Sequence, residues 1–310
     1  LLTSAATDSS KSDWKGIVVE DGATVSLDHV IVEYADRAVE LYYVTGATVM
    51  VSNSELRSSN YGTYIGYGGD LSLTITDSTL TDNTYGLYMN QSGTAPTITG
   101  STLTANQYGV LLSGSTSNDQ LNPQPVITGN SIYGNTSYNY YTSGYANAAS
   151  TVLDATGNWW GSSDPSVIAA KIYDYSDTSS RPVVNFGGYL DGENGNPVST
   201  ETPLAGQISG TLTAGGYEVL STLVVPVDQT LTIPAGATLS FIAGTKLQVY
   251  GELIIEGDVD NRVLLTSAAT DSSKSDWKGI VVEDGATVSL DHVIVEYADR
   301  AVELYYVTGA

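Results

Sequence analysis

The chain has 310 residues, 41% of them hydrophobic, with a mean hydropathy of −0.03, which is enough apolar content for a sizeable core. Its formal net charge of −23 argues against a nucleic-acid partner and against anionic membranes. There is no cysteine, so disulfides are excluded and thiols give no compartment. No apolar run approaches the roughly 18 residues that a membrane helix needs.

The first 47 residues, Leu1 to Ala47, return letter for letter as Leu264 to Ala310, an offset of 263. The second copy follows Asp260-Asn261-Arg262-Val263 without a break, so Leu1 reads as a start inside a strand. We expect one 263-residue period, plus 47 residues of the next, of a longer tandem array. The alternative is a set of separate 263-residue protomers whose contact the extra segment records. One period holds 26 acidic and 8 basic side chains. A stack of such units is a polyanion with a well-solvated surface, and divalent cations would suit it.

Within the period runs a shorter repeat. Leu27 to Val32, Val51 to Leu56, Ile75 to Leu80, Ile98 to Leu103 and Ile127 to Ile132 align at steps of 24, 24, 23 and 29, and the segment at Leu153 follows 26 later. The longest step contains the insertion Ser115 to Gln124, expected as a loop. A second apolar segment recurs at Ala38 to Leu41, Gly62 to Ile65, Gly86 to Met89 and Gly109 to Leu112. These segments are short, alternate with period two and are punctuated by Gly, Asn and Asp, which is a strand pattern. Strands this short cannot bury an apolar side alone, but stacked coils can. We therefore expect an all-β, right-handed parallel β-helix (a β-solenoid) with coils of about 23–24 residues, about 4.8 Å per coil. One inward ladder would be Leu27, Val51, Ile75, Ile98, Ile127 and Leu153. Another would be Val32, Leu56, Leu80, Leu103 and Ile132. Asn83, Asn106 and Asn135 recur at one turn position, where an amide tolerates left-handed geometry and can bond to the next. Tyr61, Tyr85 and Tyr108 recur at another. We read them as stacking on each other, with a carbohydrate platform as the rival reading.

These coils resemble the right-handed parallel β-helix superfamily with the pectate-lyase-like fold, especially its surface-protein members. Thr230 to Gly257, running on into Asp276-Trp277-Lys278-Gly279, is similar to the opening coils of such proteins. Ala155 to Leu190 is similar to their closing segment. The resemblance implies a unit split by the window: residues 1–190 as the body and close of one unit, 191–205 as an inter-unit linker or outward loop, and 206–310 as the opening of the next. It also raises an enzyme, since the superfamily's lyases use a calcium cluster with an Arg or Lys base and its hydrolases use clustered Asp.

The residues give that little support. In the coil alignment Arg37 and Arg57 alone lie close, one coil apart. Asp28 and Asp77 fall near one coil position, with Asn53 between and Gly100 and Gly129 after, a stack that fades to glycine. His29 is single in the period. Calcium is the remaining chemical expectation. Asp191, Glu193, Asn194 and Asn196 in one Gly-containing turn, and Asp258 and Asp260 in another, offer oxygens to a hard cation. Asn90 and Asn135 head N-glycosylation sequons, although Asn135 also belongs to the amide ladder. Trp159 and Trp160 read as closing a core end, and Trp14 as packing beside Ile17 to Val19. The expected function is structural: no enzyme, but a subunit of an extracellular filament or cell-surface fibre whose partner is itself, end to end. The alternative is an adhesin or S-layer-like stalk that binds glycans.

Overall fold

The structure is a computed structural model that describes residues 1–306, so the last four residues of the repeated segment lie outside it. The chain divides into two compact units. The first comprises Leu1–Ala148, Leu153–Pro182 and Gly188–Val198, and the second Ala149–Val152, Val183–Gly187 and Ser199–Ala310. The division at Val198/Ser199 lies inside the span expected as a linker. Residues 149–152 and 183–187 group with the second unit, outside the boundary expected at 190. Residues 190–198 are a folded turn, with Leu190 bridged to Pro197.

The first unit is a parallel β-helix of three sheets. One sheet stacks Ile17–Val18, Arg37–Tyr42, Tyr61–Gly66, Tyr85–Asn90, Tyr108–Ser113, Tyr138–Thr142 and Ile172–Tyr173 in order. A second stacks Thr24–Asp28, Thr48–Ser52, Ser72–Thr76, Thr97–Thr99 and Val126–Ile127. A third stacks Ile31–Glu33, Glu55–Arg57, Thr79–Thr81, Thr102–Thr104 and Ser131–Tyr133. Leu27, Val51, Ile75, Ile98 and Ile127 are in register, as are Val32, Leu56, Leu80, Leu103 and Ile132. Both ladders are buried. Leu153 is buried too, but the second sheet ends at Ile127, so the first ladder is one rung shorter than expected.

The corners explain the residues between strands. After the second sheet the chain turns through one left-handed residue: His29, Asn53, Asp77, Gly100 and Gly129, with φ between 47° and 68°, and Gly157 does the same after Val152–Asp154. After the third sheet the left-handed residues are Tyr34, Ser58, Asp82, Ala105 and Gly134. The fading to glycine at the first corner is thus a backbone requirement that Asn, Asp and Gly meet most easily. Asp28 is not in that column. It stands one residue earlier, opposite Ser52.

The residue after each left-handed one binds the coils together. Val30, Ser54, Ser78 and Ser101 donate their N–H groups to Ser54, Ser78, Ser101 and Asn130 of the next coil, at 2.9–3.1 Å. At the other corner Ser59 N–H donates to Asn83 Oδ1 at 3.0 Å, Asn83 N–H to Asn106 Oδ1 at 2.9 Å and Asn106 N–H to Asn135 Oδ1 at 3.0 Å. The amide nitrogens of Asn83, Asn106 and Asn135 donate to the carbonyls of Leu56, Leu80 and Leu103. The expected amide ladder exists, but the left-handed residue is its predecessor.

The second unit is also parallel-stranded. The 11-residue strand Gly215–Val225 pairs by its first half with Ala237–Phe241 and by its second half with Leu247–Val249. Ala237–Phe241 continues to Val263–Ser267 and Val293–Val295, and Leu247–Val249 to Ile280–Val282 and Val302–Leu304. A second sheet stacks Gly210–Thr211, Thr230–Pro234, Glu252–Glu256 and Thr287–Asp291. Trp277 is fully buried there, stacked on Phe241 at 4.0 Å and 9°.

The repeated sequence folds alike in both units. Thr3 Oγ1 donates to Glu33 and Thr266 Oγ1 to Glu296, at 2.7 and 2.8 Å, and Trp14 and Trp277 both donate to the carbonyl of that glutamate. Burial differs. Val32, Val39 and Leu41 are buried in the first copy while Val18 is 51% exposed. In the second copy Leu265, Trp277 and Ile280 are buried while Leu304 is 68% exposed.

Candidate functional site

The outer face of the first unit's seven-stranded sheet is paved with tyrosine. Register sets two columns. Arg37, Tyr61, Tyr85, Tyr108 and Tyr138 form one, and Glu40, Tyr64, Tyr88, Leu111, Tyr141 and Tyr173 form the other. In the first column Tyr61 stacks on Tyr85 at 5.0 Å, Tyr85 on Tyr108 at 5.5 Å and Tyr108 on Tyr138 at 6.3 Å, within 20° of parallel. The rings follow the strand repeat, so each ring face is used by its neighbour. What the column offers solvent is ring edges and hydroxyls. That geometry decides for self-stacking and against a sugar platform along the column.

Glycine makes room for the arrangement. A Cβ on Gly86 would lie 2.5 Å from the Gly109 carbonyl oxygen and 3.2 Å from Asn106 Nδ2. The recurring Tyr-Gly pair thus joins the ring column to the amide ladder. Burial pushes the Tyr88 phenol up to about 12, and burial likewise raises Tyr61 and Tyr85.

A guanidinium stands at each end of the face. Arg37 lies 4.2 Å from the Tyr64 centroid and pairs with Glu40. Arg181 lies 4.3 Å from the Tyr173 centroid and 4.7 Å from that of Tyr141, and its Nη2 donates to the Tyr141 hydroxyl at 3.2 Å. Arg57, expected close to Arg37, is on another sheet. It pairs with Glu33 at 2.7 Å, opposite which it stands in register. Beside Arg37 the tyrosines open out. Tyr43 is 62% exposed and stacks on Tyr67 at 5.1 Å, and Tyr42 meets both edge-on.

The other sequence candidates have local duties. Asp191 Oδ1 accepts from the Asn196 N–H at 2.9 Å and closes the turn that contains Glu193 and Asn194. Asn194 is left-handed, with φ 56°. Asp258 Oδ1 accepts from the N–H groups of Asp260 and Asn261 at 2.8 and 2.6 Å, which holds its carboxyl below the usual range. Among the described residues no three His, Cys, Asp or Glu side chains gather to hold a metal ion, so the calcium expectation gains no support. Asn135 is buried within the amide ladder, closed to a glycosylating enzyme. Asn90 is half-buried, and its sequon hydroxyl, Ser92, is buried and bonded to the Gly68 carbonyl. His29 sits 3.0 Å from Asp28 at an exposed corner, and Asn53, His29 and Ser52 hold the Asp28 carboxyl down to about 2. Trp160 is buried, as a closing residue should be. Sequence reading missed the serine column and the two guanidinium ends. Arg181 is distant in sequence from Tyr141 and carries no repeat signal.

Searches of curated proteins and of solved structures gave no significant match. Residues 4–158 match one family model, described as "Periplasmic copper-binding protein (NosD)". That span covers half the chain and includes the coils that carry the tyrosine face as far as Tyr141. With its stacked parallel coils, the chain belongs to the NosD family of right-handed parallel β-helix proteins.

Proposed function

We propose that this β-helix is a structural module, a segment of a fibre or stalk outside the cytoplasm built from tandem units. One observation carries the reading. Residues 1–43 are covered by following coils in the first unit and their copy, residues 264–306, by preceding coils in the second, with the same internal hydrogen bonds. Such a segment can link one unit to the next through an unbroken ladder. The family's periplasmic description supports a place beyond the inner membrane. Negative-stain electron microscopy of the native material tests the proposal. Rods growing by about 4.8 Å per coil are expected, and isolated globules would overturn it.

The family description also mentions copper, which this chain's residues do not fit. Copper favours thiolate, thioether and imidazole donors. The chain has no cysteine, His29 and His292 each stand beside one aspartate, Met89 is buried in the core, and the exposed Met50 stands in register between Ser26 and Thr74, neither of them a soft donor. We assign no copper site. A second reading, a glycan-binding stalk, is favoured by the exposed Tyr42, Tyr43 and Tyr67 cluster. Tyr43 is stacked on Tyr67 yet largely exposed, whereas the tyrosines of the stacked column are half-buried. A glycan array with the Tyr43→Ala protein as control tests it, and binding indifferent to that substitution would sink it.

A further inference from the structure

We propose that the outer face of the first unit's second sheet, the one running from Thr24–Asp28 to Val126–Ile127, binds ice. This inference goes beyond the fibre reading above and does not rest on it.

Side chains alternate along a strand, so the residues flanking the buried Leu27, Val51, Ile75 and Ile98 point outward. Register sorts them into columns. Ser26, Met50, Thr74, Thr97 and Val126 form the middle one, and Asp28, Ser52, Thr76 and Thr99 another. Thr24, Thr48 and Ser72 begin a third. Nine of these twelve residues carry a hydroxyl and only Asp28 carries a charge, on a chain whose net charge is −23. The neighbouring faces differ. Glu33, Glu55, Arg57 and Tyr133 interrupt the third sheet, and tyrosines pave the first.

The columns make a two-dimensional lattice. Its sites repeat at about 4.8 Å from coil to coil and about 6.6 Å along a strand, close to the oxygen repeats on a prism face of hexagonal ice. Threonine suits such a site. Its β-branched side chain is stiff at χ1, so hydroxyl and methyl are in place before contact. The methyl orders the water beside it, and the hydroxyl ties that water by a hydrogen bond. Thr74, Thr76, Thr97 and Thr99 are half-buried, and among the described residues their hydroxyls have no protein partner. The make-up of the face argues against other occupants. Protein interfaces centre on aromatic and large apolar anchors, and here Met50 and Val126 stand alone. Rings that could stack on a sugar lie on the first sheet. A neutral lattice of fixed hydroxyls and methyls is complementary to a neutral crystal with the same repeat.

Growth of a single ice crystal in a solution of the chain tests the proposal. The freezing point is expected to fall below the melting point by a gap that grows with protein concentration, and the crystal to become faceted. Round crystals, with no gap beyond that of lysozyme at the same concentration, would overturn ice binding. Thr74→Tyr sets a bulky ring in the middle of the lattice and is expected to abolish the gap. Thr104→Tyr is the control. It lies on the third sheet, where the next coil already has Tyr133 in register, and is expected to leave the gap intact. Circular dichroism checks that both variants fold. Met50→Thr completes the interior of the middle column and is expected to widen the gap, so the proposal stays open to refutation even where Thr74→Tyr misfolds. A gap unchanged by both Thr74→Tyr and Met50→Thr would place any activity elsewhere and overturn this face. Light scattering covers the rival occupant: a Thr74→Tyr protein that loses association with other copies, while its effect on ice stays as before, would assign the face to self-contact instead. Rods of native material are compatible with each of these results, so the fibre reading is judged separately by microscopy.

Discussion

Thr63 places a hydroxyl inside an otherwise aliphatic stretch, in register between Val39 and Leu87. It is fully buried, and its Oγ1 has no hydrogen-bond partner. Thr63→Val keeps the shape and removes a desolvated polar atom. It is expected to stabilise the protein by about 1 kcal/mol, read as a higher urea midpoint at unchanged slope. A fall in the midpoint would show that the hydroxyl is bonded. Asn106 is the opposite case. It accepts from the Asn83 N–H and donates to the Leu80 carbonyl and to Asn135 Oδ1, all buried. Asn106→Leu orphans those groups and is expected to cost about 2–4 kcal/mol by the same measurement. The amide ladder was legible because asparagine is uncommon enough to stand out when it recurs at one offset. The serine column at Ser54, Ser78 and Ser101 does the same work, yet is lost among the chain's many other serines.

At the scale of the element, the tyrosine columns behave as part of the sheet. Stacked aromatic pairs contribute on the order of 0.5–1.5 kcal/mol each beyond their buried area, and they repeat at strand spacing along the outer face. Their ionisation should therefore couple to folding. Burial raises Tyr61, Tyr85 and Tyr88, the last to about 12. A phenol with a raised folded value binds its proton more tightly in the folded state. Its contribution is fully present below the unfolded value of about 10 and is lost as pH rises through the folded one. Stability is expected to fall between pH about 10 and about 12, where Tyr88 titrates. Phenolate absorbance during an alkaline titration, followed beside circular dichroism, checks this. Phenolate appearing at its ordinary pH with the fold intact would contradict the burial. The strands themselves were legible from period-two alternation and the 23–24-residue step. The corner chemistry was only half legible, because a left-handed residue and the bonding residue after it differ by one position. Offsets of one are invisible when Asp28, Asn53 and Asp77 all look like turn residues.

The whole molecule carries −23, and lowering the pH acts on it in two opposed ways. Protonating exposed carboxylates relieves self-repulsion, which favours the compact state. Other carboxylates are bonded in the fold and sit below their ordinary values. Asp28 is held to about 2 by Asn53, His29 and Ser52. Glu33 is lowered by the Thr3 hydroxyl and Arg57, Asp258 by the Asn261 N–H and amide, and Asp276 by Ser273 and Ser267. A carboxylate with a lowered folded value gives stability that is present above the unfolded value and lost as pH falls through the folded one. Asp177, raised by burial, acts with the opposite sign but is one group against several. The two effects separate on the pH axis. Relief of repulsion dominates from neutrality toward about pH 4–5, and loss of the bonded carboxylates dominates from there toward 2. Melting temperature is therefore expected to rise modestly on mild acidification and then fall steeply. The rise should shrink in 0.5 M salt, which screens exposed charge, while the fall should persist because those carboxylates act through short hydrogen bonds. A melting temperature that only rises down to pH 2 would mean that the carboxylates of Asp28, Glu33, Asp258 and Asp276 contribute nothing to the fold.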